Sequence, residues 1–167
     1  MKKIIIIIST LFMLIGCDRA TKIQAVEHLK GSDGVESYLG GILKLTYHEN
    51  SGAFLSLGAN LPDNVRFTIF NVLTGVFLFF GLLYIFIKPI SKPNLIVALL
   101  VIGGGLGNFY DRVFNSGLVV DFLLVSIGPL RTGVFNVADI AIMFGLFSFM
   151  FLETKWGQQL TKRLWRQ

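Results

Sequence analysis

The chain has 167 residues, of which 53% are hydrophobic and only 15% are charged. Its mean hydropathy of +0.69 is too high for a soluble domain of this size, and its long apolar runs are typical of a polytopic membrane protein. The net charge is +5, but the basic residues gather in particular loops instead of forming a stripe, which argues against a nucleic-acid partner. The length fits a single domain, 1–167.

Four apolar stretches are long enough to cross a membrane as helices. They cover residues of about 4–20, 67–87, 95–110 and 134–153. Basic residues concentrate before the first stretch, between the second and third, and after the fourth. The positive-inside rule then places both termini in the cytoplasm and the loops of about 21–66 and 111–133 outside.

The first stretch has two interpretations. Lysines, an isoleucine run and then Leu14–Cys17 resemble a lipoprotein signal sequence that ends at a lipidated cysteine. Three further spans follow, and Asp18 and Lys22 continue the helix as an i, i+4 ion pair, which favours a transmembrane helix. Cys17 is then expected to be a small buried residue, and a single cysteine forms no internal disulfide.

The first outer loop contains β-prone runs between glycine-rich turns. The runs are Tyr38-Leu39, Ile42–Tyr47 and Ala53–Leu57. They predict a small extracytoplasmic antiparallel β-sheet at the membrane interface. The predicted fold class is therefore an all-α membrane protein, a four-transmembrane-helix bundle that carries this small sheet.

A glycine run, Gly103–Gly107, lies in the third span. It lacks the spacing of a dinucleotide fingerprint and the Lys-Ser/Thr of a phosphate loop, so close packing of another helix is the better interpretation. Asn108, Asp111 and Arg112 follow on one helical face. They could support a functional site or form an Asp–Arg pair at the headgroups.

Two aspartates, Asp121 and Asp139, are flanked by apolar residues. Acidic residues are costly near a membrane interior and mark a functional site by default. Two carboxyls that meet can share one proton and divide acid and base roles. The plainer alternatives are a loop acid at Asp121 and an ion pair of Asp139 with Arg112 or Arg131.

Other chemistry is weakly indicated. Asn136 lies three residues before Asp139, where it could cap a helix or hold the catalytic centre. His28 and His48 show no zinc-site spacing, and Ser51 has no neighbouring base in sequence. No metal or organic cofactor is expected.

Together, several blocks resemble the bacterial lipoprotein signal peptidases, or signal peptidase II. The blocks are Asp18–Lys22, Asn50–Phe54, Gly104–Arg112, Val119–Phe122 and Phe135–Asp139. The chain departs from the family pattern at Arg19, Phe54 and Ile140.

The resemblance implies an intramembrane aspartyl endopeptidase of the bacterial cytoplasmic (inner) membrane, with its active site near the outer face. Its substrates would be diacylglyceryl-modified prolipoproteins, cut just before the lipidated cysteine, and membrane lipid its other partner. Asp121 and Asp139 would be catalytic. The implied supporting residues are Asp18, Lys22, Asn50, Gly52, Gly104, Asn108, Arg112 and Asn136.

One competing hypothesis comes from a different functional class. Buried acids also serve proton relays, so a small proton-coupled membrane carrier or channel component is the alternative function. The absence of an obvious inverted repeat in the sequence makes a carrier the weaker choice. A non-enzymatic membrane scaffold, suggested by Leu14–Cys17, is a third.

Overall fold

The computed structural model describes residues 2–31, 35–53 and 56–164. Phe54, one of the departures noted above, lies outside the described residues. The helices are α1 (Lys2–Leu29), α2 (Asp63–Phe67), α3 (Thr74–Ile87), α4 (Lys92–Phe114), α5 (Val137–Glu153) and α6 (Lys155–Leu164), and a π-helical turn, Thr68–Leu73, joins α2 to α3. The strands are β1 (Glu36–Tyr38), β2 (Leu43–Asn50), β3 (Val119–Ile127) and β4 (Leu130–Arg131).

The predicted helical bundle is confirmed. Within the described residues, α1, the continuous helical segment Asp63–Ile87, and α4 are each long and apolar enough to cross a membrane. Helix α5 has 17 residues, which is at the short end of the spanning range. It bends by 93° into α6, and the two helices taken together are long and apolar enough for a fourth span that is broken at the bend.

The helices extend further than the apolar stretches predicted. Helix α1 continues nine residues past the predicted boundary at 20, and its outer part packs Ala25 and Leu29 against Phe122 of the sheet. Cys17 lies on the exposed face of α1, so the prediction that it is buried is wrong. The buried face of this part of α1 carries Asp18 and Lys22. Cys17 is next to Asp18 in sequence and therefore points about 100° away from this face.

Helix α4 is the centre of the bundle. Its apolar stretch is 44% buried, against 11% for the stretches in α1 and in Asp63–Ile87. Three successive glycines of α4 each face a different helix: Gly103 faces Leu14, Gly104 faces Ala138, and Gly105 faces Leu78. A Cβ on Gly104 would lie 2.4 Å from the Ala138 carbonyl oxygen. The interpretation of the glycine run as helix packing is therefore confirmed.

The sheet is antiparallel with strand order β1-β2-β3-β4. Its longest strand, β3, comes from the second outer loop, which the sequence had not indicated as β. The run Ala53–Leu57 was predicted to be a strand, and for its described residues this is wrong. The Ala53 amide donates to the Leu57 carbonyl at 2.8 Å, and Ser56 has a positive φ of 59°, so the chain turns back here.

The register between β2 and β3 decides what meets at the site. Asn50 lies opposite Val119, and His48 lies opposite Asp121. Asn50 is thus a diagonal neighbour of Asp121 on the same face of the sheet. This face meets the end of α4 and the start of α5, because β3 follows α4 closely and α5 begins ten residues after β3 ends.

Candidate active site

Asp121 is on β3 and only 1% exposed, so it is not the ordinary loop acid of the plainer alternative. Two side-chain amides donate to its carboxyl: Asn50 Nδ2 to Oδ2 at 2.9 Å and Asn136 Nδ2 to Oδ1 at 2.6 Å. Burial raises the pKa of Asp121 to about 6, against the opposing effect of the Asn50 hydrogen bond, and the negative charge of Asp139 raises it further. The pKa of Asp121 therefore lies well above the usual range of an aspartate.

Asp139 is fixed by the start of α5. Asn136 is the N-cap, and its Oδ1 accepts from the Asp139 amide at 2.9 Å, while Asp139 Oδ2 accepts from the Asn136 amide at 3.2 Å. This reciprocal pair is a capping box, which satisfies two free N–H groups of the helix. Asn108 Nδ2 donates to Asp139 Oδ1 at 2.8 Å.

Asn136 performs both of the roles that the sequence left open. Its amide oxygen caps α5, so its amide nitrogen is turned toward Asp121. The side chain is completely buried. One residue therefore ties the position of Asp121 to the start of the helix that carries Asp139.

Asn108 is oriented by a buried cation. Its Oδ1 accepts from Lys22 Nζ at 2.9 Å and from Asn136 Nδ2 at 3.1 Å. Because the oxygen faces these donors, the NH₂ group must face Asp139. The sequence therefore provides each carboxyl with at least one asparagine donor, and Lys22 sets the direction of one of them.

Lys22 is 1% exposed, and its partners Asp18 and Asp111 are also nearly fully buried. It pairs with Asp18 at 2.8 Å and with Asp111 at 3.0 Å, which confirms the predicted Asp18–Lys22 pair. Asp18 Oδ1 also accepts from the Ala138 amide at 2.9 Å. The cluster thus joins α1, α4 and the first turn of α5 behind the two carboxyls.

Asp111 and Arg19 complete this cluster. The sequence left the role of Asp111 open, and Arg19 was not among the expected supporting residues. Arg19 pairs with Asp111 and lies over the Tyr110 ring, 4.6 Å from its centroid. Asp111 Oδ2 also accepts from the Val120 amide at 3.1 Å, next to Asp121. The i, i+3 spacing of Asn108 and Asp111 was the available sequence signal, but the Arg19 contact depends on how α1 packs against α4.

Arg112 binds the outer loop, not an acid. Its Nη2 donates to the Gly52 carbonyl at 2.8 Å, and its guanidinium lies 5.5 Å from the centroid of the Phe70 ring. In the described part of the chain, Arg112 makes no ion pair with Asp111 or Asp139, and Arg131 makes none with Asp139. The ion-pair alternatives raised from the sequence are therefore wrong for these groups.

Gly52 is held by the same network. Its amide donates to Asn50 Oδ1 at 2.9 Å, and a Cβ on Gly52 would lie 2.5 Å from the Leu57 carbonyl oxygen. Asn50 Nδ2 also donates to the Ala53 carbonyl at 3.0 Å. Asn50 therefore shapes the outer turn with one end of its amide and holds Asp121 with the other.

The two carboxyls open onto one cavity of 290 Å³. Its polar wall carries Asn50, Asn108 and Arg112, and its apolar wall carries Ile142, Met143 and Leu146 of α5. A second groove of 720 Å³ adjoins it, and Arg112 and Phe70 line both. Phe70 lies in the π-helical turn, a local irregularity that is frequent at functional sites and that the sequence did not reveal.

The fold is similar to that of two solved structures. Two solved structures described as bacterial membrane enzymes match it with TM-scores of 0.76 and 0.73, at 24% and 23% sequence identity. The first match covers 89% of this chain and 92% of the other, and the second covers 95% and 89%.

The sequence comparisons identify the family. The signal peptidase II family matches residues 10–154. Similar proteins include the lipoprotein signal peptidases of Caldicellulosiruptor bescii, 36% identical over 91% of both chains, and of Francisella tularensis subsp. novicida, 37% identical over 80% of this chain and 82% of the other. That of Borrelia hermsii is 30% identical over 86% of both. The chain belongs to the signal peptidase II family.

Proposed function

We propose that this protein is an aspartyl endopeptidase that removes the signal peptide from diacylglyceryl-modified prolipoproteins, just before the lipidated cysteine. Asp121 and Asp139 are its catalytic pair. The family supplies the reaction class and the substrate class. The observation that carries the aspartyl mechanism is that both carboxyls line one cavity and each is held by asparagine donors.

The chemistry follows from a pair that shares one proton. The ionised carboxylate removes a proton from a water molecule in the cavity, and the hydroxide so formed attacks the scissile carbonyl carbon. The protonated carboxyl donates a hydrogen bond to the carbonyl oxygen. When the tetrahedral intermediate collapses, the C–N bond breaks and the nitrogen leaves with a proton from the pair. The two groups titrate as a unit.

The supporting residues act in two layers around the pair. Asn50, Asn108 and Asn136 orient the carboxyls, and Arg112 offers a buried guanidinium at the cavity wall. Arg112 Nε has no hydrogen-bond partner within the described residues, so its N–H can donate to a substrate carbonyl. The second layer holds the first in place through ion pairs and close packing, and its members are Asp18, Lys22, Gly52 and Gly104.

The substrate reaches the pair from lipid. Helix α5 places Ile142, Met143 and Leu146 on the apolar wall, beside the carboxyls. Acyl chains of the modified cysteine would contact this wall, whereas the peptide would contact the polar wall and the sheet. The lipid and the peptide would thereby be recognised by different residues of one cavity.

The location of the site follows from helix geometry. Asp139 lies 14 residues before the end of α5, which is about 21 Å along a helix, in a membrane core of about 30 Å. The sheet and the pair lie at one end of the bundle, and Lys3 donates to the Lys88 carbonyl at the other end. With basic loops inside, the chain is a single domain of the inner membrane, both termini are cytoplasmic, and the site is near the outer face.

The pair is tested by single substitutions in the purified protein. Asp121→Asn and Asp139→Asn should each abolish cleavage of a lipidated precursor, because an amide cannot exchange the shared proton. Glu27→Gln is the matched control, since Glu27 is an exposed acid of α1. Near-normal turnover by either aspartate variant would exclude the aspartyl mechanism, and loss of turnover in the control would point to a general instability.

A further inference from the structure

Helix α6 leaves the bundle at a right angle. It spans Lys155–Leu164 and lies at 93° to α5. Thr154, between the two helices, has an extended backbone and interrupts the helical path. Its Oγ1 accepts from the Gly157 amide at 3.0 Å, which caps the new helix. Because α5 runs through the membrane, α6 runs along the membrane surface.

The bend is fixed by the packing of Gly157. A Cβ at this position would lie 2.1 Å from the Phe151 carbonyl oxygen and 2.8 Å from the Leu152 Cα. Gly157 is the buried residue of α6, and its face of the helix touches the end of α5. Since α5 extends into the membrane from this point, the face that bears Gly157 is the face that looks toward the membrane.

The apolar side chains of α6 share this face. Leu160 and Leu164 follow Gly157 at i+3 and i+7, one above the other. They are 45% and 67% exposed, and Trp156, at the edge of the same face, is 80% exposed. An apolar stripe of this kind needs a partner, and within the described residues nothing covers it.

The opposite face of α6 is basic. Lys155 and Lys162 lie on it, whereas Arg163 lies in line with Trp156 at the edge of the apolar face, and the helix contains no acid. The surroundings add to this charge, because Lys3 contacts the Lys88 carbonyl at the same end of the bundle, where α4 begins and α5 ends. Basic residues beside an amphipathic helix are the complement of an anionic lipid surface.

We propose that α6 is an interfacial helix that binds the anionic lipid surface of the leaflet at which α4 begins, the cytoplasmic leaflet in the orientation proposed above. Leu160 and Leu164 lie at the boundary of the acyl chains, Trp156 lies at the level of the headgroups, and the basic side chains contact anionic headgroups. The right-angle joint then holds α5 at a fixed depth, and with it Asp139.

The test uses the full-length protein reconstituted in bilayers. The chain has two tryptophans, so Trp165→Phe leaves Trp156 as the only one. Its emission is measured with lipids brominated near the headgroup and with acrylamide in the aqueous phase. We expect strong quenching by the brominated lipids and weak quenching by acrylamide. The reverse pattern would overturn the proposal. Protection from both quenchers would also overturn it, because a second copy of the chain would then cover the stripe.

Variants separate the two kinds of contact. In the Trp165→Phe background, Leu160→Gln with Leu164→Gln should lose most of the quenching by brominated lipid. In bilayers with a minority of phosphatidylglycerol, Lys162→Gln with Arg163→Gln should also lose quenching by brominated lipid. This loss relative to the background should be smaller at high salt, because salt also weakens the contact of the background protein with anionic lipid. Gln159→Asn, at an exposed position away from the apolar stripe, is the control. Unchanged quenching in the double leucine variant would contradict the proposed contact.

Discussion

At the scale of single residues, the site is a set of buried charges that the fold holds at a cost. Asp121 is the clearest example, because burial raises its pKa to about 6 although two amides stabilise its anion. A folded-state pKa above the unfolded value near 3.8 means that the folded protein binds the proton more tightly. Stability then falls as pH rises from about 4 to about 6, and the penalty persists above that range.

We therefore expect Asp121→Asn to relieve a penalty on the order of 3 kcal/mol above pH 6. Relative to wild type, the variant should gain stability as pH rises from about 4 to about 6, and the difference should level off above. Thermal unfolding of both proteins in detergent, from about pH 4 to above pH 6, measures this difference in stability. A difference that does not change with pH would show that the Asp121 pKa is not raised.

Lys22 provides a second prediction at this scale. Lys22→Met leaves Asp18 without its cation and weakens the compensation of Asp111, and breaking a buried ion pair from one side costs about 3–5 kcal/mol. Cleavage should also fall, because Asn108 loses the donor that orients it. Unfolding and turnover of the purified variant measure both effects.

Lys30→Met is the matched control, since Lys30 pairs with Glu49 on the surface and such pairs contribute little. Adding Asp18→Asn to Lys22→Met should restore part of the stability by removing the uncompensated charge. If Lys22→Met lowered stability and turnover no more than Lys30→Met does, the buried ion pairs of Lys22 would not hold the site in place.

Residue patterns within one helix were predictable, and contacts between elements were not. The Asp18–Lys22 pair and the proximity of Asn136 to Asp139 follow from helical spacing, and the structure confirms both. The contact of Asn50 with Asp121 depends on the register of two strands from different loops. Arg112 binds a loop carbonyl instead of an acid because the turn at Gly52 brings that carbonyl to it, which spacing in α4 cannot reveal.

At the scale of elements, the close approach of α4 to α5 sets the geometry of the pair. Gly104 permits it, because any Cβ there would meet the Ala138 carbonyl oxygen at 2.4 Å and Ile142 Cγ1 at 2.8 Å. Asn108 is one helical turn further along α4, and Asp139 directly follows Ala138. A shift between these helices therefore acts directly on the Asn108–Asp139 hydrogen bond of 2.8 Å.

Gly104→Ala is accordingly expected to destabilise the protein by about 1–3 kcal/mol, the usual cost of overpacking, and to lower turnover further than its stability explains. Gly16→Ala is the control, since a Cβ at Gly16 meets nothing within 4 Å and alanine suits a helix better than glycine. Unfolding and cleavage are compared for both. Equal effects of the two substitutions would mean that the α4–α5 contact does not position the pair.

The elements also show where apolar patterns reach their limit. Hydropathy located the helical spans but placed the end of α1 too early, because the outer part of α1 is stabilised by packing on the sheet and not by lipid. It gave no signal for β3, whose residues are buried on both faces at its start and so lack the alternation of a half-exposed strand. The π-helical turn that carries Phe70 likewise has no distinctive composition.

At the scale of the whole molecule, the two ends of the helical bundle carry different features. The sheet and the carboxyl pair lie at one end of the bundle, and the basic residues and α6 lie at the other. The cavity beside the carboxyl pair has a polar wall and an apolar wall. The proposed substrate carries both a peptide and acyl chains and would contact both walls, whereas an unmodified peptide would lack the acyl contacts.

The most direct test of this account compares one precursor with and without its diacylglyceryl group, using the same preparation of purified protein. The products are identified by mass spectrometry. We predict a cut immediately before the lipidated cysteine, and a far slower reaction of the unlipidated precursor because it loses the apolar contacts with α5. Equal rates for the two precursors, or a cut at another bond, would contradict the proposed function.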